Sequence, residues 1–231
     1  MEDIRRNIEM LNEKVQKAAE RAGRKVSDVT IVGVTKTVDI PRILEMVRLG
    51  ISHVGENRVQ ELVAKKAELD GGLPNISWHM IGHLQTNKAK LAVQSAVMIH
   101  SVDSQKLAEA VDRAAASLDK ICDICVEVNI ADESSKYGIK PQDAERFIES
   151  ILQYKNINIR GLMCIAPFVE NGGENRKYFA KMREMRERLN EKFIGSIKMD
   201  VLSCGMSIDY EAAILEHADY IRCGSIIFGN R

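Results

Sequence analysis

Lys36 ends the run Thr30-Ile-Val-Gly-Val-Thr-Lys36, and a helix-type segment begins at once near Asp39-Ile-Pro41. The pattern reads as a buried strand that carries an amine to its C-terminal end. A two-residue period puts Val32, Val34 and Lys36 on one face and Ile31, Gly33 and Thr35 on the other. Valine walls disfavour the ammonium, which is the condition an amine needs to add to a carbonyl. A strand-end lysine that reaches into water is the plainer reading, and the rest of the chain has to decide between the two.

Two turns near the C-terminus have a second kind of chemistry. Cys204-Gly-Met-Ser207, read as opening a short helix, and Gly224-Ser225 each offer glycine for close approach, a hydroxyl and backbone N–H groups. Together with a helix N-terminus these are phosphate-binding features, although one Gly-Ser pair alone is an ordinary turn. Arg222 lies between them, mid-strand, on the face of Tyr220 and Gly224. An inward arginine needs partners because its charge cannot be removed. Those partners are either an acidic residue on a neighbouring strand or an acceptor on a ligand.

Other chemistries find little support. The chain of 231 residues has zero formal net charge, with no polybasic run and no aromatic-basic interleaving that would suggest nucleic acid. Its start is charged too early for a secretory signal and no apolar run reaches membrane-spanning length, so a cytoplasmic protein is expected. Five cysteines are dispersed. Cys122 and Cys125 fall three apart in a strand, on opposite faces, which suits neither a redox pair nor a shared zinc. The five histidines have no metal-ligand spacing.

The elements that would position these groups alternate. An amphipathic helix over residues 2–22 (Ile4, Ile8, Leu11, Val15, Ala18, Ala22) stops at Gly23. Strand-type runs follow at 30–36, 52–57, 78–82, 97–101, 121–128, 157–163, 199–203 and 220–223, most followed by a helix-type segment. The turn Gly71-Gly-Leu-Pro74 separates one helix from the next strand, and the charged segment after Gly173 reads as a helix with a solvated face. Eight strands alternating with helices predict a (β/α)8 TIM-type barrel forming one domain over residues 1–231. A doubly wound sheet would need a glycine-rich fingerprint after the first strand, and none is present. With no room for a helix after strand eight, the extra N-terminal helix is expected to cover that gap, and no C-terminal β-domain is expected.

Barrel closure sets strand eight against strand one and places Lys36 roughly 5–10 Å from the Gly224 turn. That is about the reach from an aldehyde to a phosphate across one pyridine ring. An amine and a phosphate cradle so spaced suggest pyridoxal 5′-phosphate held as a Schiff base. Arg222 would then face the pyridine nitrogen and leave it unprotonated. Asn57 and Asn129 are strand-end donors, the latter equally readable as a turn cap.

Val32-Gly-Val-Thr-Lys36, Val54-Gly-Glu-Asn-Arg-Val-Gln-Glu61, Trp78-His-Met-Ile-Gly-His-Leu-Gln-Thr-Asn-Lys88, Val128-Asn-Ile, Gly161-Leu-Met163, Leu202-Ser-Cys-Gly-Met-Ser207 and Ile221-Arg-Cys-Gly-Ser-Ile-Ile-Phe-Gly229 together resemble one family. This is the pyridoxal phosphate homeostasis protein family, relatives of the alanine racemase N-terminal barrel. The resemblance runs from the first helix to the last residues. It implies a type III PLP fold with Lys36 as the Schiff-base lysine, Ser207, Gly224 and Ser225 around the phosphate, and Arg222 at the ring nitrogen. It also implies that Asn57, His83, Ser101 and Met163 line the pocket. Ser225 stands where threonine is common, and Ile208 where aspartate is frequent, leaving Asp209 as the acidic residue of that turn.

The expected function is non-catalytic PLP binding in vitamin B6 and amino-acid homeostasis. A weak alanine-type racemase is the alternative from the enzyme class. Its two-base chemistry needs a tyrosine from a second domain, and only Tyr137 lies near the expected mouth. A barrel binding another phosphorylated metabolite is the third reading, with Lys36 incidental. Lys136 and Lys140, near the expected mouth, could form transient PLP adducts during loading, but the safer reading has them solvent-facing. A monomer is expected, with apo-PLP enzymes as transient partners.

Overall fold

The computed structural model describes residues 2–69 and 76–229. The Gly71–Pro74 turn lies outside them. Strands β1 (Thr30–Val34), β2 (His53–Glu56), β3 (Ser77–Met80), β4 (Met98–Val102), β5 (Cys122–Glu127), β6 (Ile157–Met163), β7 (Val201–Met206) and β8 (Tyr220–Cys223) form a closed parallel barrel in sequence order. At the seam, Val32 pairs with Arg222 and Gly33 with Cys223. The expected (β/α)8 barrel is therefore the observed fold.

Helices α1 (Glu2–Arg21), α2 (Ile40–Arg48), α3 (Val59–Leu69), α4 (Ala89–Ser95), α5 (Gln105–Ser117), α6 (Ala144–Ile151), α7 (Arg176–Lys192) and α8 (Tyr210–Leu215) surround it. Local chemistry sets their starts. The Asp39 carboxylate accepts from Arg42 N at 3.0 Å, with Pro41 in the first turn, a cap worth about 1 kcal/mol. Ser104 caps α5 in the same way through Leu107 N. The charged helix α7 buries Phe179, Met182, Met185 and Leu189 and leaves its Arg/Lys/Glu face largely outside, as expected. Among the described residues no helix is long and apolar enough to cross a membrane.

One expectation needs correction. A one-turn helix, α9 (Ser225–Phe228), does follow β8. Helix α1 still closes this side by packing on both α8 and α9, and Asn7 Nδ2 donates to Ile227 O at 3.0 Å. Four residues suffice to turn the chain after β8 but not to cover the barrel, so α1 supplies the missing apolar face through Ile4, Ile8, Leu11 and Val15, all buried.

Candidate cofactor site

Lys36 stands two residues beyond the end of β1, in a turn, and it is exposed. The strand period therefore does not fix its face, and the desolvation expected from flanking valines is not what surrounds it. The turn is held from below instead. Thr35 Oγ1 donates to Glu56 Oε1 at 2.6 Å, and Lys65 Nζ donates to the same oxygen at 2.6 Å and to Thr35 O at 2.7 Å. Glu61 accepts from Lys65 at 3.3 Å and from Thr37 N at 3.2 Å. Thr37 has φ 60°, a left-handed conformation that a β-branched residue adopts at a cost of order 1–3 kcal/mol. This network holds that strained residue directly beside the lysine.

The Lys36 turn opens on a cavity of about 540 Å³ at the C-terminal ends of the strands. Val34, Ser207, Arg222, Gly224 and Ser225 line it with Lys36, so the five residues singled out for amine, phosphate and ring-nitrogen roles do meet. One detail differs from expectation. The helix after β7 begins at Tyr210, not Ser207, so Ser207 gains no helix dipole of its own. Its hydroxyl instead accepts from Gly224 N at 3.2 Å and Ile226 N at 3.3 Å, tying the two turns into one cradle.

Arg222 is buried, and its partners are carbonyls and a hydroxyl. Nη1 donates to Ser203 O at 2.7 Å and Ser203 Oγ at 2.8 Å, while Nη2 donates to Cys164 O at 2.8 Å. Among the described residues no carboxylate forms an ion pair with it, so the salt-bridge alternative loses its partner. Glu127, at the end of β5, has its carboxyl raised to about 7 by burial first and by the Asp103 charge next, with Arg222 opposing.

Four residues expected in the wall are not among those lining the cavity. Met163 packs inside the barrel with Met98, Cys125 and Val201. Ser101 Oγ donates to Gly82 O at 2.6 Å. His83 stacks on Tyr137, centroids 3.8 Å apart, with Nδ1 3.5 Å from Asp103. Asn57 keeps a buried Oδ1 without a hydrogen-bond partner. Asn129 takes the turn-cap role, donating to Glu133 O at 2.7 Å and accepting from Glu133 N at 3.1 Å.

Other wall residues escaped the sequence reading. Lys136 is not solvent-facing. It lines the cavity and donates to Glu133 Oε1 at 2.7 Å and Ala166 O at 3.0 Å. Lys140, in contrast, is largely exposed beside Asp132. Asp209 is buried and accepts from Met206 N and Asn175 Nδ2, both at 2.7 Å. Phe168 and Ile165 face the opening from the loop after β6, where an apolar loop residue has no period to reveal its direction.

Beneath Arg222 the barrel interior is polar. His100 Nδ1 lies 2.9 Å from Ser203 Oγ, His79 Nδ1 3.0 Å from His100 Nε2, and His53 Nδ1 2.9 Å from His79 Nε2. Burial lowers the tendency of all three to protonate, taking His79 down to about 3 with help from His53. As pH falls below 6.5 the unfolded chain binds protons that His100 and, down to about 3, His79 refuse, so stability falls as pH falls. Glu127 acts oppositely between about 4.5 and 7, holding a proton that the unfolded chain has released. His79 and His100 together outweigh it. Urea unfolding free energy should therefore rise by about 1 kcal/mol per pH unit or more between pH 5 and 6.5, and chemical denaturation across that range checks the sign.

The alanine racemase N-terminal domain family matches residues 4–231. The chain is 39% identical over 219 residues to the pyridoxal phosphate homeostasis protein of Aquifex aeolicus, covering 95% of this chain and 94% of that one. It is 35% identical over 232 residues to the protein of that name from Pseudomonas aeruginosa, covering 100% and 97%. PipY of Synechococcus elongatus, solved with PLP bound, superposes with a TM-score of 0.81 at 36% identity, covering 92% of this chain and all of that one. An alanine racemase of Clostridium difficile, at 16% identity and TM-score 0.69, shares the fold over 100% of this chain and 57% of its own. The chain belongs to the pyridoxal phosphate homeostasis protein family, on the barrel of the alanine racemase N-terminal domain.

Proposed function

We propose that the chain binds pyridoxal 5′-phosphate in this cavity, holds it as a Schiff base on Lys36, and serves PLP and amino-acid homeostasis without turning over a substrate. The observation that carries the reading is the meeting of Lys36, Arg222 and two linked serine turns in a single cavity. The relatives' name and the PLP-bound PipY structure support it.

The donor set suits each part of the cofactor. The Ser207 and Ser225 hydroxyls would hold the phosphate at the turn whose Gly224 and Ile226 N–H groups orient Ser207 Oγ. Lys36 Nζ would supply the amine that joins the aldehyde carbon through a C=N bond, with loss of one water. Arg222 would donate to the ring nitrogen and, because it does not give up its proton, would leave that nitrogen unprotonated. When bound, the group supplies an electron sink, and an unprotonated ring makes that sink weak. Asn175, which lines the cavity, keeps a buried Oδ1 without a hydrogen-bond partner, an unmet acceptor that fits contact with a ligand, while for Asn57, His83, Ser101 and Met163 a place at the pocket rests on the family resemblance alone.

The racemase alternative needs a tyrosine opposite Lys36, and among the described residues that line the cavity none is a tyrosine; the racemisation assay below decides between the two readings. The five cysteines are unpaired and buried, which suits a reducing cytoplasm, where the reading has a monomer that meets apo-PLP enzymes transiently. Comparing PLP with pyridoxal tests the phosphate cradle. Ser207→Ala should weaken PLP binding about tenfold and leave pyridoxal binding unchanged. Equal losses for both ligands would place the phosphate elsewhere. Alanine racemisation by the PLP-loaded protein should stay at background.

A further inference from the structure

TIM-type barrels usually fill their interior with layers of branched aliphatic side chains. Here three histidines and a serine, contributed by β2, β3, β4 and β7, cross it instead. Their contacts form one unbroken chain from His53, half-buried at the start of β2, to Arg222 at the cavity. Buried polar groups of this kind need an account, and the cofactor chemistry proposed above does not use the histidines.

The direction of the chain follows from hydrogen-bond inventory. Arg222 can only donate, so Ser203 Oγ accepts from Nη1 at 2.8 Å. The Ser203 hydrogen then has His100 Nδ1, at 2.9 Å, as its acceptor. A neutral imidazole that accepts at Nδ1 donates at Nε2. His100 Nε2–H therefore donates to His79 Nδ1, and His79 Nε2–H donates to His53 Nδ1. Every donor and acceptor along the line is used. The opposite direction would leave the Ser203 hydrogen with no acceptor at either of its two contacts.

We infer that His53, His79 and His100 are positioning residues for Arg222, a one-directional hydrogen-bond chain that presents the Ser203 hydroxyl to the guanidinium and couples it to protonation at the barrel floor. His53 is the point of entry, because His79 and His100 are buried. Its ring faces His79 and, edge-on at 6.1 Å, Tyr220 of β8, which also lies 5.6 Å from His79 and 5.7 Å from His100. The charged groups that act on Tyr220 from the floor are Arg160 of β6, Asp123 of β5 and Asp200, which Arg160 bridges, and the Cys125 thiol lies nearby. At the upper end the charges are Arg222 itself and, beyond it, Glu127. A second proton on His53 puts N–H at both ring nitrogens, and His79 Nε2–H loses its acceptor. His79 and His100 must then exchange tautomers, and Ser203 loses the acceptor for its hydrogen.

Histidine side-chain nitrogen NMR on the full ligand-free chain tests this without reference to PLP. At pH 8 the three rings should all be neutral Nε2–H tautomers, and on acidification His53, His79 and His100 should shift together in one transition. Separate Arg222 Nη signals should be visible at pH 8, collapse in Ser203→Ala, and return in Ser203→Thr. Any of the three rings in the Nδ1–H form at pH 8, His53 titrating alone, or Arg222 signals indifferent to Ser203→Ala would overturn the inference. Where the cofactor reading also holds, Ser203→Ala should weaken PLP binding about tenfold. Failure of wild-type binding would sink that reading while the NMR result still decides the chain.

Discussion

Lys36→Ala should fold like the parent protein and lose covalent PLP capture completely, with no visible band and no borohydride-stable adduct at position 36. The fold should survive because the side chain is exposed and its turn is held by Thr35, Glu56, Glu61 and Lys65. A stability change within about 0.5 kcal/mol is expected. The phosphate cradle and Arg222 remain, so PLP should still enter but bind at least about a hundredfold more weakly, some 3 kcal/mol. Absorbance titration and equilibrium dialysis measure the two losses separately. If phosphate-ligand affinity were unchanged, the cavity would belong to a different phosphorylated metabolite and the lysine would be incidental.

Gly161→Ala should abolish the native fold or lower Tm by more than about 10 °C, corresponding to a loss beyond 4 kcal/mol. Gly161 pairs with Val201 at the β6–β7 junction and with Cys125 on the other side. A β-carbon there would overlap the Val201 carbonyl oxygen and lie 2.6 Å from its carbon and 3.0 Å from its Cα. These are backbone atoms of a neighbouring strand and cannot rotate away as a side-chain tip would. The two strands would have to part next to Val201, Met163 and Ser203, on which the barrel interior and Arg222 both depend. A thermal melt decides it, and a Tm within a few degrees of wild type would mean that β6 and β7 separate cheaply.

Much of this architecture is legible from spacing. Alternating runs of β-branched residues and three-to-four-residue apolar stripes specify barrel strands and outer helices, because each face packs against a different layer. Lys36, Arg222 and the two serine turns are legible too, since barrel closure is a topological rule that brings the first and last strands together. Lys136, Asp209 and Phe168 were not, because loops have no side-chain period and their direction is set by hydrogen bonds such as Lys136 to Ala166 O. The sequence pattern sets Ser207 one turn too close to a helix, because Gly205, at φ 87°, and the Asp209 contact to Met206 N extend the turn before α8 begins. The histidine chain was invisible for another reason. His53, His79 and His100 lie far apart in sequence, and only the staggered register of β2, β3 and β4 aligns them.

The central claim is that Lys36, not the second cavity amine Lys136, carries the cofactor. Borohydride reduction of the PLP-loaded wild-type protein followed by peptide mapping tests it most directly. The account predicts a single pyridoxyl group on Lys36. A label on Lys136, or one spread over surface lysines, would contradict it.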